Sequence, residues 1–165
     1  MVVKEYESPF GLLYLASIGS ELCLCSWNGL ADAHDMVRAT VPDSDFRKEW
    51  DVVEEARREL EEYFGGTRET FDVPLKISGT EFQRLVWQAL MSIPYGKTES
   101  FGSLARTIGR PSAVTAVANA CEKNPLAIFI PAHRVLPRRD SLSARPEKVE
   151  LKLKLIAMER KDSAD

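Results

Sequence analysis

Apolar and polar residues alternate over residues 6–27, with Gly11 and Gly19 as turn signals. Successive strand residues point to opposite faces, so this period of two predicts two antiparallel strands. Over residues 50–64 the apolar residues instead recur at helical spacing opposite a row of Glu and Arg, and Gly65 follows. This pattern predicts a helix that covers the sheet and keeps its acidic row in solvent.

The apolar period stays helical in the second part of the chain. Ser78-Gly79-Thr80 opens a helix that is predicted to end near Met91. A last helix is predicted over about 146–159, and it carries enough apolar residues that we expect it to be substantially buried. Residues 66–79 are the expected boundary between an α/β N-terminal unit and a helical C-terminal unit. The predicted domains are residues 1–75 and residues 76–165.

Two short helices are predicted across a tight turn. Ser100 is placed to cap a helix over 101–108 that Gly109 ends, and Pro111 lies in the first turn of a helix that runs to about residue 123. This is the helix-turn-helix arrangement, although many helical proteins contain such a corner. Small residues line most of the second helix, which favours packing against another helix over insertion into a narrow groove.

The charges are divided unevenly along the 165 residues, whose formal net charge is −3. Residues 1–96 hold nine Lys/Arg and seventeen Asp/Glu, whereas residues 97–160 hold twelve and six. The basic second part indicates a polyanionic partner, and the alternative is that these residues are only a solvated helix face. With no apolar stretch of about twenty residues and no signal-peptide pattern, we expect an intracellular protein that does not bind membranes.

Three cysteines and two histidines offer little for a metal site. Cys23 and Cys25 form a Cys-x-Cys pair on a predicted strand, and Cys121 leaves an odd count. Free cysteines are usually buried, so we predict that these three are reduced packing residues rather than part of a disulfide or zinc site. Because His34 is remote from the cysteines in sequence, no metal site is expected. No cofactor is expected either.

The chemistry of the chain is concentrated in Pro131-Ala132-His133-Arg134, which ends an apolar run. Ala132 can neither attack, donate a proton nor bind a metal. His133 is a candidate base and, on the other interpretation, a structural residue. Glu159 is either an ordinary surface acid or a partner of His133.

Many short stretches match one known family in the same order along the chain. They are residues 8–11, 79–83, 86–90, 93–98, 104–105, 108–111, 113–114, 124–125, 130–131 and 133–135. In this order they resemble the O6-alkylguanine-DNA alkyltransferases, also called methylated-DNA–protein-cysteine methyltransferases. The resemblance implies a ribonuclease H-like α/β N-terminal unit, a small antiparallel sheet plus a helix, followed by a mostly α C-terminal domain with a winged helix-turn-helix.

The resemblance also implies a function and its residues. Family members bind double-stranded DNA in the minor groove, flip O6-alkylguanine out of the stack and move the alkyl group onto a cysteine without a cofactor. The cysteine position is Ala132, with His133 as its base, Glu159 as the orienting carboxylate and Asn124 in the hinge beside it. The implied DNA contacts are Ser100, Phe101, Arg110, Ala113, Val114, Thr115 and Ala116, and the implied lesion-pocket residues are Arg145 and Pro146.

The chain departs from the family pattern at several of these positions. Ala132 has no thiol, and Thr115 stands where family members insert an arginine into the duplex. Phe101 keeps the aromatic wedge of a tyrosine and loses its hydroxyl. Residues 143–148 replace a glycine-rich pocket loop with a proline and three charges. Cys121 has no evident base beside it, which makes it a weak substitute acceptor.

These departures leave three hypotheses. The first is a DNA-binding homologue that recognises the lesion, does not transfer the alkyl group and hands the lesion to repair proteins, similar to the alkyltransferase-like proteins. The second is a genuine methyltransferase carrying a Cys-to-Ala change at position 132. The third is a protein-interaction or regulatory module without lesion recognition. We favour the first, because one change does not explain Thr115 or residues 143–148.

Overall fold

The computed structural model describes the backbone of residues 2–28, 46–136 and 146–163. The chain divides into two units. The first contains Met1–Ile77 together with Pro125–Phe129, and the second contains Ser78–Asn124 and Ile130–Asp165. The short segment Pro125–Phe129 therefore belongs with the first unit, although it follows much of the second in sequence.

The sheet of the first unit is antiparallel and has the strand order β1-β2-β3. Its strands are β1 (Val2–Ser8), β2 (Gly11–Ile18) and β3 (Glu21–Ser26). The prediction of two strands was wrong, because the chain reverses at both glycines. Gly11 has φ 133° and Gly19 has φ 62°, which are backbone conformations that glycine adopts most easily.

Helix α1 (Phe46–Phe64) packs against all three strands, as its apolar period predicted. Its acidic row is not entirely in solvent, because Glu49 and Glu59 are buried. The Glu59 carboxylate accepts the backbone N–H groups of Asp72 and Val73 at 3.0–3.2 Å. A buried carboxylate is tolerated where N–H groups satisfy it, so this acid ties the chain after α1 to the helix.

The segment Pro125–Phe129 lies along β3. The Cys25 N–H donates to the Pro125 carbonyl at 2.9 Å, and the Ala127 N–H donates to the Cys25 carbonyl at 2.9 Å. The Phe129 ring packs on Phe71, with centroids 4.6 Å apart. Two backbone hydrogen bonds and an aromatic contact therefore anchor this segment.

The second unit is mainly helical. It contains α2 (Glu81–Met91), α3 (Phe101–Thr107) and α4 (Val114–Glu122). Helix α2 begins directly after Ser78-Gly79-Thr80, as predicted, and Thr80 caps it, where its side chain and that of Gln83 form a capping box. Ser100 caps α3 by accepting the Ser103 N–H, also as predicted.

The turn between α3 and α4 is longer than predicted. Gly109, with φ 76°, ends α3, but Pro111 is not in the first turn of α4. The Ala113 N–H bonds to the Arg110 carbonyl three residues back, and the i to i−4 pattern begins only with Val117, which bonds to Ala113. The predicted start was wrong because a tight turn comes first.

The small-residue face of α4 is only partly packed. Val117, Ala120 and Cys121 are buried on the side that packs against α2 and α3. Thr115 and Ala116 are exposed. The favoured prediction of helix packing is therefore right for one face and wrong for the other.

Strand β4 (Glu99–Ser100) pairs in parallel with β5 (Val135–Leu136) over two residues. The last helix, α5 (Pro146–Ser163), follows β5 in the sequence. Its residues Leu155, Ile156 and Glu159 are buried, but Leu153 is 51% exposed. The helix is thus less completely buried than expected. No helix in the part of the chain that the structure describes is long and apolar enough to cross a membrane.

Gly79 leaves no room for a side chain. A Cβ atom there would lie 2.7 Å from the Trp87 ring and 2.8 Å from the Gln83 amide oxygen. Trp87 cannot easily shift, because it is buried and its indole N–H donates to the Ala120 carbonyl at 2.9 Å. We expect Gly79→Ala to lower the free energy of unfolding by about 1–3 kcal/mol in urea denaturation.

Gly102 on α3 is the matched control for this substitution. A Cβ atom there meets nothing nearer than 3.8 Å. Alanine is the better helix residue, so Gly102→Ala should raise the free energy of unfolding by about 0.5–1 kcal/mol. Equal effects of the two substitutions would show that the Trp87 contact does not limit position 79.

Candidate functional site

The residues Ala132–Arg134 form a single 3-10 turn that leads into β5. Helices α2 and α5 both pack against this turn. His133 and Arg134 are buried, at 5% and 6% exposure, whereas Ala132 is half-buried. The turn thus buries its two polar side chains and leaves the alanine partly open.

The Glu159 carboxylate of α5 joins the site together. It lies 2.5 Å from His133 Nε2 and accepts Arg134 Nε at 2.9 Å and Arg134 Nη2 at 3.2 Å. It also accepts the Gly96 N–H at 3.1 Å, and Arg134 Nη1 donates to the Ile93 carbonyl at 2.7 Å. A two-point contact with a guanidinium fixes a carboxylate in both position and plane.

The charges of this network leave His133 neutral. Burial lowers the pKa of His133 below its usual value, and the positive charges of Arg134 and Lys152 lower it further, against the opposing effect of Glu159. Glu159 is already compensated by Arg134, so the network gains little from a second cation.

The protonation of the imidazole follows from its contacts. An ionised carboxylate only accepts hydrogen bonds, so His133 Nε2 carries the proton and Nδ1 has a free lone pair. Nδ1 is buried and has no hydrogen-bond partner among the described residues. His133 is therefore an oriented neutral imidazole with an unused basic nitrogen.

A pH dependence follows from the lowered pKa. Neutral His133 stabilises the fold above about pH 6.5, and this contribution is lost as the pH falls from that value through the folded-state pKa. We expect the free energy of unfolding to fall more steeply between pH 7.5 and pH 5 in the native protein than in a His133→Gln variant. Urea titrations at each pH measure this, and parallel curves would contradict it.

Asn124 is connected to the site through the backbone carbonyl oxygen of Ile130. Its Nδ2 donates to the Ile130 carbonyl at 2.8 Å, and the Ala132 N–H donates to the same carbonyl at 2.8 Å. The structure therefore brings Asn124, Ala132, His133 and Glu159 into one connected set.

The residues expected at DNA lie at the start of α3, in the turn that follows this helix and at the start of α4. Ser100 is used as the cap of α3, and Lys152 Nζ lies 5.3 Å from the centre of the Phe101 ring. Arg110 is exposed, with its guanidinium 5.8 Å from the centre of the Phe82 ring. Ala113 is the N-cap residue of α4, and the exposed residues that follow are Val114, Thr115 and Ala116.

Some predicted residues are not described. Arg145 and His34 lie outside the described residues, as do residues 143–145 of the loop that the resemblance assigns to the lesion pocket. Pro146 begins α5, but its side chain is also outside the described part.

None of the three cysteines offers a reactive thiol. Cys23, Cys25 and Cys121 are buried, as predicted for packing residues. Burial raises the pKa of Cys23 to about 11 and that of Cys121 to about 12, and it raises the pKa of Cys25 as well. A thiol that stays protonated at neutral pH is a poor nucleophile. In the described ranges, no group of three or more His, Cys, Asp or Glu could hold a metal ion.

Comparison with known families covers both parts of the chain. Residues 81–161 match the DNA binding domain of 6-O-methylguanine DNA methyltransferase, and residues 1–77 match its ribonuclease-like domain. The chain belongs to the 6-O-methylguanine DNA methyltransferase family. The predicted family and fold class are confirmed.

Relatives of this methyltransferase family match nearly the whole chain. The Methanosarcina acetivorans methylated-DNA–protein-cysteine methyltransferase is 40% identical over 96% of this chain and 98% of its own. The constitutive enzyme of that name from Bacillus subtilis is 43% identical over 93% and 92%. A crystal structure of Mycobacterium tuberculosis OGT in complex with DNA is similar, with TM-score 0.79, 35% identity and coverage of 97% and 93%.

Sequence reasoning missed Arg134 as a member of the buried network around Glu159. The pairing of Glu159 with His133 came from the resemblance, but the two-point contact from Arg134 was not foreseen. A signal was available, since Arg134 lies between an apolar run and Val135. A buried arginine needs an acid partner.

Proposed function

We propose that this protein recognises O6-alkylguanine in double-stranded DNA and does not transfer the alkyl group. The observation that carries the proposal is a complete base and orienting carboxylate beside Ala132. His133 and Glu159 are 2.5 Å apart and buried. The methyl side chain of Ala132 has no lone pair with which to accept an alkyl group.

The missing step can be written from the chemistry of a cysteine at this position. A thiolate sulfur would form a bond to the alkyl carbon as the bond from that carbon to guanine O6 breaks, and guanine would take up a proton. His133 Nδ1 is suited to receive the thiol proton, directly or through water, because Glu159 keeps Nε2 protonated. Only the sulfur is missing from this sequence of events.

Charge and exposure support DNA binding through α3 and α4. Arg106, Arg110 and Lys123 are exposed on these helices or next to them. The exposed start of α4, residues 114–116, carries small or β-branched side chains, which allow its backbone to come close to a groove. We infer minor-groove binding, with Phe101 as the aromatic wedge that unstacks the lesion.

Binding and mass measurements together test the proposal. A duplex with one O6-methylguanine and the same duplex without it are titrated at several salt concentrations, and the protein mass is then recorded. Tighter binding to the lesion without a mass gain supports the proposal. A stoichiometric gain of one methyl group would overturn it, and no DNA binding at low salt would favour an interaction module.

Thr115→Arg is expected to strengthen binding to duplex DNA. An arginine on this exposed position of α4 adds a cation that can neutralise one phosphate or fill the gap of a flipped base. The slope of log K against log salt should steepen by about 0.9. Thr67→Arg, in the first unit, adds the same charge to an exposed residue and is the control, with no expected change in slope.

A second candidate is a methyltransferase that carries a Cys-to-Ala change at position 132. The complete network around Glu159 and the methyltransferase names of relatives at about 40% identity favour it. Sequencing the encoding gene separates the candidates, since a cysteine codon at position 132 would establish the second.

A further inference from the structure

Ile128 has a backbone conformation that its side chain disfavours. Its φ is 73°, and it is the non-glycine residue with positive φ in the described ranges. The Phe129 N–H donates to the Ala127 carbonyl at 2.9 Å, which closes a three-residue γ-turn around Ile128. A γ-turn with positive φ is rare and strained, and a β-branched residue increases the strain.

A second γ-turn follows at once. Pro131 has φ −80° and ψ 66°, and the Ala132 N–H donates to the Ile130 carbonyl across it at 2.8 Å. This is the inverse γ-turn, which is unstrained. The Ile130 carbonyl also accepts Asn124 Nδ2. The chain thus makes two turns within the six residues 127–132, immediately before His133.

Packing on both sides accounts for the strain at Ile128. The preceding residue, Ala127, is hydrogen-bonded to Cys25 of β3, and the following residue, Phe129, packs on Phe71. The Ile128 side chain is itself 3% exposed. A strained backbone persists only where its surroundings determine it, and such residues cluster at functional sites.

We propose that Ile128 is a positioning residue for the turn that carries Ala132 and His133. Its buried side chain holds φ positive, and this φ sets the direction of the Ile130 carbonyl. That carbonyl in turn fixes the Ala132 N–H. The inference deepens the proposed function, because this turn is the site on which that function rests, but its test needs no DNA.

The test compares Ile128→Ala with Ile128→Gly. Both remove the buried side chain, but only glycine keeps a positive φ without cost. The alanine variant should therefore relax to negative φ and displace the turn, whereas the glycine variant should keep it. In an ordinary helix or strand position, the order of stability would be the reverse.

The readout is the reactivity of a thiol introduced by Ala132→Cys. Its alkylation by iodoacetamide is followed against pH in each background, while the buried native cysteines stay unreactive. In the Ile128→Ala background we expect the curve of alkylation rate against pH to shift to higher pH by about one unit. Alkylation at pH 7 should then be about tenfold slower. In the Ile128→Gly and Ile128→Val backgrounds we expect rates within about twofold of the parent.

A second measurement keeps the outcomes distinct. The imidazole N–H that His133 shares with Glu159 is followed by NMR in the chain with native Ala132, and thermal melting is recorded. Loss of this signal in Ile128→Ala alone, with Ile128→Gly melting higher than Ile128→Ala, supports the proposal. Equal signals, or alanine melting above glycine, would overturn it. An unactivated thiol with the expected NMR and melting order would instead count against His133 as a base.

Discussion

Ala132→Cys is expected to convert this protein into a stoichiometric acceptor of one methyl group from a duplex that contains O6-methylguanine. The base and its orienting acid are already joined, with His133 Nε2 at 2.5 Å from Glu159 and Nδ1 unused. A thiol at this position can lose its proton to that nitrogen and attack. The native protein should gain no mass.

The restored reaction should be slow. Thr115 and Phe101 lack the guanidinium and the hydroxyl that the family resemblance implies for nucleotide flipping, and each lost contact of about 1.4 kcal/mol lowers the rate about tenfold. Intact mass after single-turnover incubation measures both extent and rate. Ala132→Ser is the control, because a hydroxyl of unperturbed pKa stays protonated. Failure of the cysteine variant to gain mass, although it binds the lesion, would contradict a competent His133 base.

Glu159→Gln is expected to lower the free energy of unfolding by about 3–5 kcal/mol. Arg134 is 6% exposed and donates twice to this carboxylate, so the substitution leaves a buried cation without its counter-charge. The glutamine also offers a single oxygen where His133, Arg134 and Gly96 now share two. Urea denaturation at pH 7 measures the change.

Glu150→Gln provides the comparison on the same helix. Glu150 is 69% exposed and lies 3.6 Å from Lys154, so its loss should change stability by about 0–0.5 kcal/mol. Similar effects at positions 150 and 159 would mean that the buried network contributes no more than a surface pair.

Local hydrogen-bond chemistry made parts of the fold predictable. Thr80 and Ser100 each precede a helical apolar period and each cap the expected helix, because a cap depends on residues within one turn of it. The prediction that α4 begins at Pro111 was wrong because this boundary does not depend on local residues alone. Proline fits both the first turn of a helix and a tight turn, and only the surrounding packing decides between them.

The residues of the candidate site were predictable only where they belong to a sequence motif. Ala132 and His133 are adjacent in sequence, but Arg134 contacts a carboxylate 25 residues away. Nothing in the helical pattern of α5 distinguishes Glu159 from the solvated acids of that helix. The strain at Ile128 was hidden for a similar reason, since an isoleucine in an apolar run predicts a strand and not a γ-turn.

The side chains on the exposed start of α4 have few rotamers to lose. Val114 and Thr115 are β-branched, and Ala116 has no χ angle. Long cations such as lysine and arginine lose about 1.5–2 kcal/mol each when they are immobilised, whereas alanine loses none. Docking of this helix should therefore carry a small entropic cost and little dependence on base sequence, as the proposed recognition of a rare lesion among many undamaged sites would require.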